Sequence, residues 1–390
     1  MQRRRLALLT STVLVAVGAL VARADGPEPT KVSDTGQQVA PATWECTPGH
    51  LVAKRKVTLQ TGATAYTFLI SGCQDPSHGG KHPCAEGNFG MPAPSAANWY
   101  WGGFLRILVN GSDVTACDIR DVRVLEDGER GAFQVVWAHP DAEVGHRLML
   151  RSGSNHVDGY LVWRPRAGAV IQSVSLALTC YPSFFTAARH RRGERHCQTP
   201  RIDQAEPTTL EVNPAEDTYL YYYDAVFDVA RGEGDGPCAL VLDPTPVRGG
   251  RVSIGDYAVL TTVDLAPEAR EVRLALYDFT GLANAAAEGY FRTQAGADLT
   301  DLKQLDFRPA PARKVEPERL RAEALDLLAK AGDDGEALRA QVLDLLAHAA
   351  ALKAAADEGD WVAEGDLCTA LADSRDLFWK LRTFAALNSP

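Results

Sequence analysis

From about residue 43 to about residue 280, apolar residues come in runs of about 6–10, rich in Val, Ile, Leu, Thr and aromatics. Gly, Asn, Asp, Ser and Pro punctuate them. Runs of that length between turn residues predict strands, about a dozen of them. The clearest hairpin is 104–109 with 113–119 across Asn110-Gly111, a pair that readily takes positive φ at both positions of a type I′ turn. Residues 122–125 and 132–138 pair across the turn 126–129, and 146–151 and 157–163 across 152–155. So many antiparallel strands in one stretch predict a mainly β fold, a large supersandwich-like antiparallel β-sandwich over residues 43–310. Two short helices are expected at 284–293 and 298–305, then an extended linker at Arg308-Pro-Ala-Pro311.

From 316 to 387 the period changes to that of a helix. Pro317 suits a first helical position, Gly332 a C-terminal cap, and Asp333 or Asp334 the cap of a second helix. Leu338, Val342, Leu345, Ala349, Leu352 and Ala356 alternate at spacings of four and three, and a third helix repeats the pattern from Leu367 to Ala385. Residues 313–390 are therefore expected to form a C-terminal helical hairpin or three-helix segment. It packs on the sandwich or mediates self-association.

The ends and the charge set the expected compartment. Residues 1–24 have the pattern of a cleavable signal peptide: Arg3, Arg4 and Arg5, an apolar run over 6–21, then Ala22-Arg23-Ala24. That run is shorter than the roughly 20 residues of a bilayer span. Cleavage would remove four arginines and take the net charge from −10 to −14. Such a charge argues against nucleic-acid binding. Export, to the periplasm or beyond, is the expectation, with no stable membrane insertion after cleavage. Residues 25–42, polar and Pro-containing, are expected to be a disordered linker. In an oxidising compartment the eight cysteines default to disulfides. Cys73 with Cys84 and Cys180 with Cys197 are the candidates with short closure. Cys73-x4-His78-x3-His82-x-Cys84 also has metal-ligand residue types, but its spacing fits no standard zinc module, so no metal and no cofactor is expected.

Candidate ligand-binding residues fall in two groups. Trp99, Trp101 and Trp137 offer flat rings that suit stacking on a sugar face; burial in a two-sided sheet is the alternative. Arg189, Arg191, Arg192 and Arg195 form a basic loop in an acidic chain, suited to an anionic group or simply solvated. His139 beside Pro140, and Asp224 in the Tyr219-Leu-Tyr-Tyr-Tyr-Asp224 string, are the candidate catalytic acid–base groups; structural roles are the alternative.

Trp137-Ala-His-Pro140, His156-Val-Asp-Gly-Tyr-Leu-Val162, Thr179-Cys-Tyr-Pro-Ser-Phe184, Gly236-Pro-Cys-Ala-Leu240 and Gly255-Asp-Tyr-Ala-Val259 resemble exported bacterial proteins of the planctomycete type. The strand density over residues 95–310 resembles the galactose-mutarotase-like supersandwich. That resemblance implies a carbohydrate ligand. It does not imply a reaction, because the expected pair of His and a catalytic carboxylate does not align here. Two functions stay open: an exported carbohydrate-binding protein, with an anionic sugar as one class, and a non-catalytic envelope or assembly protein using its C-terminal helices.

Overall fold

The computed structural model describes residues 28–42, 46–75, 88–185 and 194–388. Residues 1–24, where a signal peptide is expected, and Cys84, Arg189, Arg191 and Arg192 lie outside the described residues.

The chain is mainly antiparallel β, followed by helices. The strands open with β1 (Lys31–Asp34), β2 (Gln38–Pro41), β3 (Leu51–Gln60), β4 (Ala65–Cys73) and β5 (Phe89–Ala93). Then come β6 (Leu105–Val109), β7 (Ser112–Asp113), β8 (Asp118–Glu126), β9 (Arg130–Ala138), β10 (Ala142–Arg151), β11 (His156–Pro165) and β12 (Val174–Cys180). The last are β13 (Arg195–Gln198), β14 (Asp203–Ala205), β15 (Thr208–Val212), β16 (Tyr219–Asp224), β17 (Cys238–Leu242), β18 (Val247–Ile254), β19 (Val259–Leu265) and β20 (Glu271–Asp278).

Nine of these make one sheet in the order β14-β13-β16-β17-β20-β11-β10-β9-β8. A six-stranded sheet runs β15-β18-β19-β12-β6-β7, and β1 to β5 form a third. The core lies where the two smaller sheets meet one face of the large one. Phe133, Leu148, Leu161, Leu240 and Leu274 from the large sheet pack with Phe68, Ile107, Leu176 and Val263 from the others, all essentially inaccessible. Burying each large apolar side chain contributes about 1.5–3 kcal/mol.

The hairpin expectations hold at their turns. Asn110 and Gly111 have φ of 51° and 76°, the left-handed pair a type I′ turn needs. β8 with β9 and β10 with β11 pair as expected. Tyr219 to Asp224 is an interior strand between β13 and β17, not an edge.

Residues 28–42 correct the linker expectation. β1 and β2 pair with the two halves of β3, and Thr30 bridges to Gly128. Both strands are largely exposed, so backbone hydrogen bonds hold them and no apolar pattern announces them.

The helices also differ in detail. A single α1 (Asn284–Gln304) replaces the expected pair. Residues 310–314 form α2 (Ala310–Lys314) in place of an extended linker. Then follow α3 (Pro317–Lys330), α4 (Gly332–Asp357), α5 (Trp361–Asp373) and α6 (Arg375–Leu387). No side chain caps α4, and the expected third helix is interrupted at Ser374. Helix α1 covers the outer face of the nine-stranded sheet, with Ala287, Phe291 and Leu302 against Tyr221, Tyr277 and Ala275. Helix α5 docks beside it through a buried charge network. Gln134 Nε2 donates to Asp121 Oδ2 at 2.7 Å and to Trp361 O at 2.8 Å. Arg147 donates to Gln134 Oε1 and pairs with Glu364, and its guanidinium lies 3.9 Å from the Trp361 ring centroid. Among the described residues no helix is long and apolar enough to cross a membrane.

Candidate functional site

At one end of the sandwich, residues 97–101 run antiparallel beside the end of β12. Tyr100 N donates to Thr179 O at 3.2 Å, Tyr181 N to Ala97 O at 3.1 Å, and Trp99 bridges Cys180. The chain then turns sharply, Trp101 N donating to Ala96 O and Gly103 N to Tyr100 O. Gly102 is needed there: a Cβ would come within 2.9 Å of the Tyr100 ring.

A buried polar network holds this end from beneath. Asn98 Nδ2 donates to Asp278 Oδ1 at 2.9 Å, and Asn98 Oδ1 accepts Ser183 N at 2.9 Å. Ser183 has φ of 68°, a strained value for a residue with a side chain. Ser95 N and Thr280 Oγ1 also donate to Asp278. Burial pushes its carboxyl up to about 6, against the pull of these donors.

On that base sits a group of rings. Tyr100 lies 5.1 Å from Tyr181, 6.2 Å from Trp101 and 6.2 Å from Phe185, and Tyr181 lies 5.8 Å from Tyr257. Tyr257 is 63% exposed, while Tyr100, Trp101 and Phe185 are half-buried. Rings open on one side and packed on the other are rigid apolar surfaces at low entropic cost. Arg195 fixes their relative positions. It is fully buried, donates to Tyr257 O at 2.9 Å and Phe184 O at 2.8 Å, and lies over Tyr181.

The sequence-derived candidates thus separate. Trp101 belongs to this surface. Trp99 and Trp137 are in the core at 0% and 1% exposure, with Trp99 Nε1 donating to Tyr277 O, so neither ring is open to a ligand. Arg195 positions the 256–257 turn and faces Asp224 at 3.8 Å; it is not a solvent-facing anion receptor. Asp224 is itself fully buried, its Oδ1 accepting Val226 N and Phe227 N. His139, 2% exposed, accepts Asp141 N at Nδ1 and holds a turn. β9 and β16 are five steps apart in the sheet, about 24 Å at ~4.8 Å per step, so His139 and Asp224 form no acid–base pair. Sequence reasoning missed Tyr257, because it meets Tyr181 and Arg195 across 62 or more residues of chain.

The Cys180–Cys197 disulfide expectation also needs correction, while the Cys73–Cys84 pairing lies outside the described residues through Cys84. Among the described residues no two cysteines are joined. Cys180 and Cys197 are buried thiols on different sheets, with Cys238 beside them. Burial, with the neighbouring thiols, pushes the thiols of Cys197 and Cys238 far up, so they stay protonated and inert.

Two further places are chemically distinct. A groove of about 500 Å³ between β3–β4 and β8 is lined by Lys54, Arg55, Gln74, Asp118, Arg120 and Arg123. Its arginines pair with Asp34, Glu143, Asp121 and Asp366, and among the described residues no aromatic ring lines it. Beyond the end of β4, Cys46, His50 and Cys73 bring one ligand atom each within 4.8 Å of one another.

No family model and no curated protein matches this chain. Among solved structures it is similar to a candidate aldose 1-epimerase from Klebsiella pneumoniae, at TM-score 0.34 and 9% identity, covering 70% of this chain and 96% of that one. It is also similar to a TPR-domain containing protein from Parabacteroides distasonis, at TM-score 0.37 and 11% identity, covering 92% of this chain and 79% of that one. Likenesses of this size do not bear on the reading of the site.

Proposed function

We propose that this is an exported carbohydrate-binding protein whose binding surface is the ring cluster at the end of the sandwich. The observation that carries the reading is four partly open rings, Tyr100, Trp101, Phe185 and Tyr257, on backbone fixed by Asn98 and Arg195. The apolar C–H face of a pyranose complements such rings. Phe185 is followed in sequence by the basic stretch with Arg189, Arg191 and Arg192, so uronate-containing and sulfated sugars are the first class to try. The reading is of binding, since His139 and Asp224 stand apart and buried.

The test is a glycan array with neutral, uronate and sulfated sugars, followed by titration. Tyr257→Ala and Trp101→Ala should each weaken the best ligand at least about tenfold, about 1.4 kcal/mol. Binding to no glycan, or variants that bind like wild type, would sink the proposal. N-terminal sequencing of protein recovered from the periplasm should begin at Asp25; an intact Met1 terminus would remove the export element.

Trp379 favours a second reading, self-association through α6, because it is 68% exposed on a helix whose other face is packed. Light scattering of Trp379→Glu against wild type decides it: an unchanged mass rules out α6 as an assembly face.

A further inference from the structure

Two chain segments far apart in sequence meet beyond the end of the β3–β4 hairpin. The first is the turn 46–50, closed by His50 N donating to Thr47 O at 3.1 Å and tied to β2 by Ala42 N donating to His50 O at 2.7 Å. The second is the end of β4, where Cys73 faces Val52 in register and Gln74 N donates to Leu51 O at 2.8 Å. Together they place two sulfurs around one imidazole nitrogen. His50 Nδ1 is 3.7 Å from Cys46 Sγ and 3.6 Å from Cys73 Sγ. The other ring nitrogen, Nε2, is 3.5 Å from Asp75 Oδ2.

We propose that Cys46, His50 and Cys73 bind a zinc ion, with Asp75 orienting the imidazole. Zinc bonds of about 2.3 Å to sulfur and about 2.0–2.1 Å to nitrogen, at tetrahedral angles, hold a sulfur and a nitrogen ligand about 3.6 Å apart. The two sulfur–nitrogen separations match that edge. A metal-bound imidazole commonly turns its second nitrogen to a carboxylate, which fixes the ring and its tautomer, and Asp75 stands in that position. The residue types are soft and borderline donors, the set that selects zinc over calcium or magnesium. Binding releases the two thiol protons and leaves the imidazole neutral, so affinity falls as pH falls. The rival use of the same thiols is a Cys46–Cys73 disulfide. A disulfide gives no role to an imidazole nitrogen placed equally from both sulfurs. The ion would pin the β2–β3 turn to the end of β4. The site is independent of the sugar-binding surface.

Full-length protein, purified with reductant and zinc and then desalted, is assayed for zinc by mass spectrometry. A cobalt-loaded sample is read for thiolate-to-metal charge transfer and tetrahedral d–d bands. Wild type should hold about one equivalent per chain. Cys46→Ser, His50→Gln and Cys73→Ser should retain under about a tenth of it. Asp75→Asn keeps all three ligands and should weaken affinity about 10–100-fold. Cys368→Ser should match wild type. Zinc-free wild type, zinc held equally by all variants, or a stoichiometric Cys46–Cys73 disulfide in protein purified with excess zinc would each overturn the assignment. A Cys46→Ser chain that fails to fold leaves Asp75→Asn to decide: unchanged zinc affinity there overturns the orienting role and the site geometry with it.

Discussion

At β10 the two faces of the nine-stranded sheet handle charge in opposite ways, as two chain neighbours show. His146 points inward among Val144, Leu148 and Leu150, its ring edge against Phe89 at 5.7 Å. Neither ring nitrogen has a hydrogen-bond partner, and burial pushes its pKa down to about 3. Arg147 points outward, equally buried, but beneath α5, where Glu364, Gln134 and Trp361 surround it. At this strand the inner face holds its titratable group in the neutral form; where the same face carries charge, on β13 and β16, Arg195 and Asp224 stand opposite each other. The outer face holds a full charge because the helices bring its partners. Covering that broad face closes the obvious platform of a β-sandwich to ligands. The open ring surface is at the end of the sandwich instead.

The largest expected effect breaks the inner half of this contrast. His146 has its folded pKa depressed from 6.5 to about 3. Between those values the unfolded chain binds more protons, so stability is complete above about pH 6.5 and falls as pH drops. The loss reaches about 5 kcal/mol near pH 3, at 1.36 kcal/mol per unit. Urea midpoints against pH should show this acid limb, and His146→Leu should flatten it. An unchanged limb would mean the ring is not buried as described.

Next comes the outer half. Arg147→Ala leaves buried Glu364 with only the more exposed Arg308 as its cation and should cost up to about 3–5 kcal/mol, read by denaturant unfolding. Replacing both, Arg147→Met with Glu364→Leu, should recover most of that. If the double variant is as unstable as the single, the partnership is not what holds α5. This network is also why removing the helices wholesale would be a poor test of their role in assembly.

A smaller, opposite pH effect lies under the ring surface. Asp278 has its folded pKa raised from 3.8 to about 6, chiefly by burial. Here the folded chain binds more protons between about pH 4 and 6, so stability falls as pH rises through that window, by about 3 kcal/mol. Asp278→Asn should remove this slope while leaving the His146 limb in place. Smallest of all, Tyr257→Ala should change stability by no more than about 0.5 kcal/mol, because its ring is mostly in solvent.

What was legible in the sequence follows from range. Asn110-Gly111, Gly128 and Gly153 announced their hairpins because turn chemistry is local, and all four take positive φ. The helical tail was legible from its period, though not its break at Ser374 nor its docking, since Glu364 and Arg147 are 217 residues apart. β1 and β2 were invisible because they bury almost nothing. In the site, Trp101 could be singled out as an aromatic beside glycines. Its separation from Trp99 and its union with Phe185 and Tyr257 depend on the pairing of 97–101 with 179–181, which no local pattern encodes. Cys46 and His50 were missed for the same reason: Cys73 is 23 residues beyond His50.

The central claim is that ligand meets this protein at the end of the sandwich and not on its covered broad face. Hydrogen–deuterium exchange with and without the best glycan tests it directly. Peptides spanning 96–103 and 255–259 should gain protection while those spanning 131–138 and 361–366 stay unchanged. Protection confined to the β9–α5 region, or no protection anywhere at saturating sugar, would contradict it.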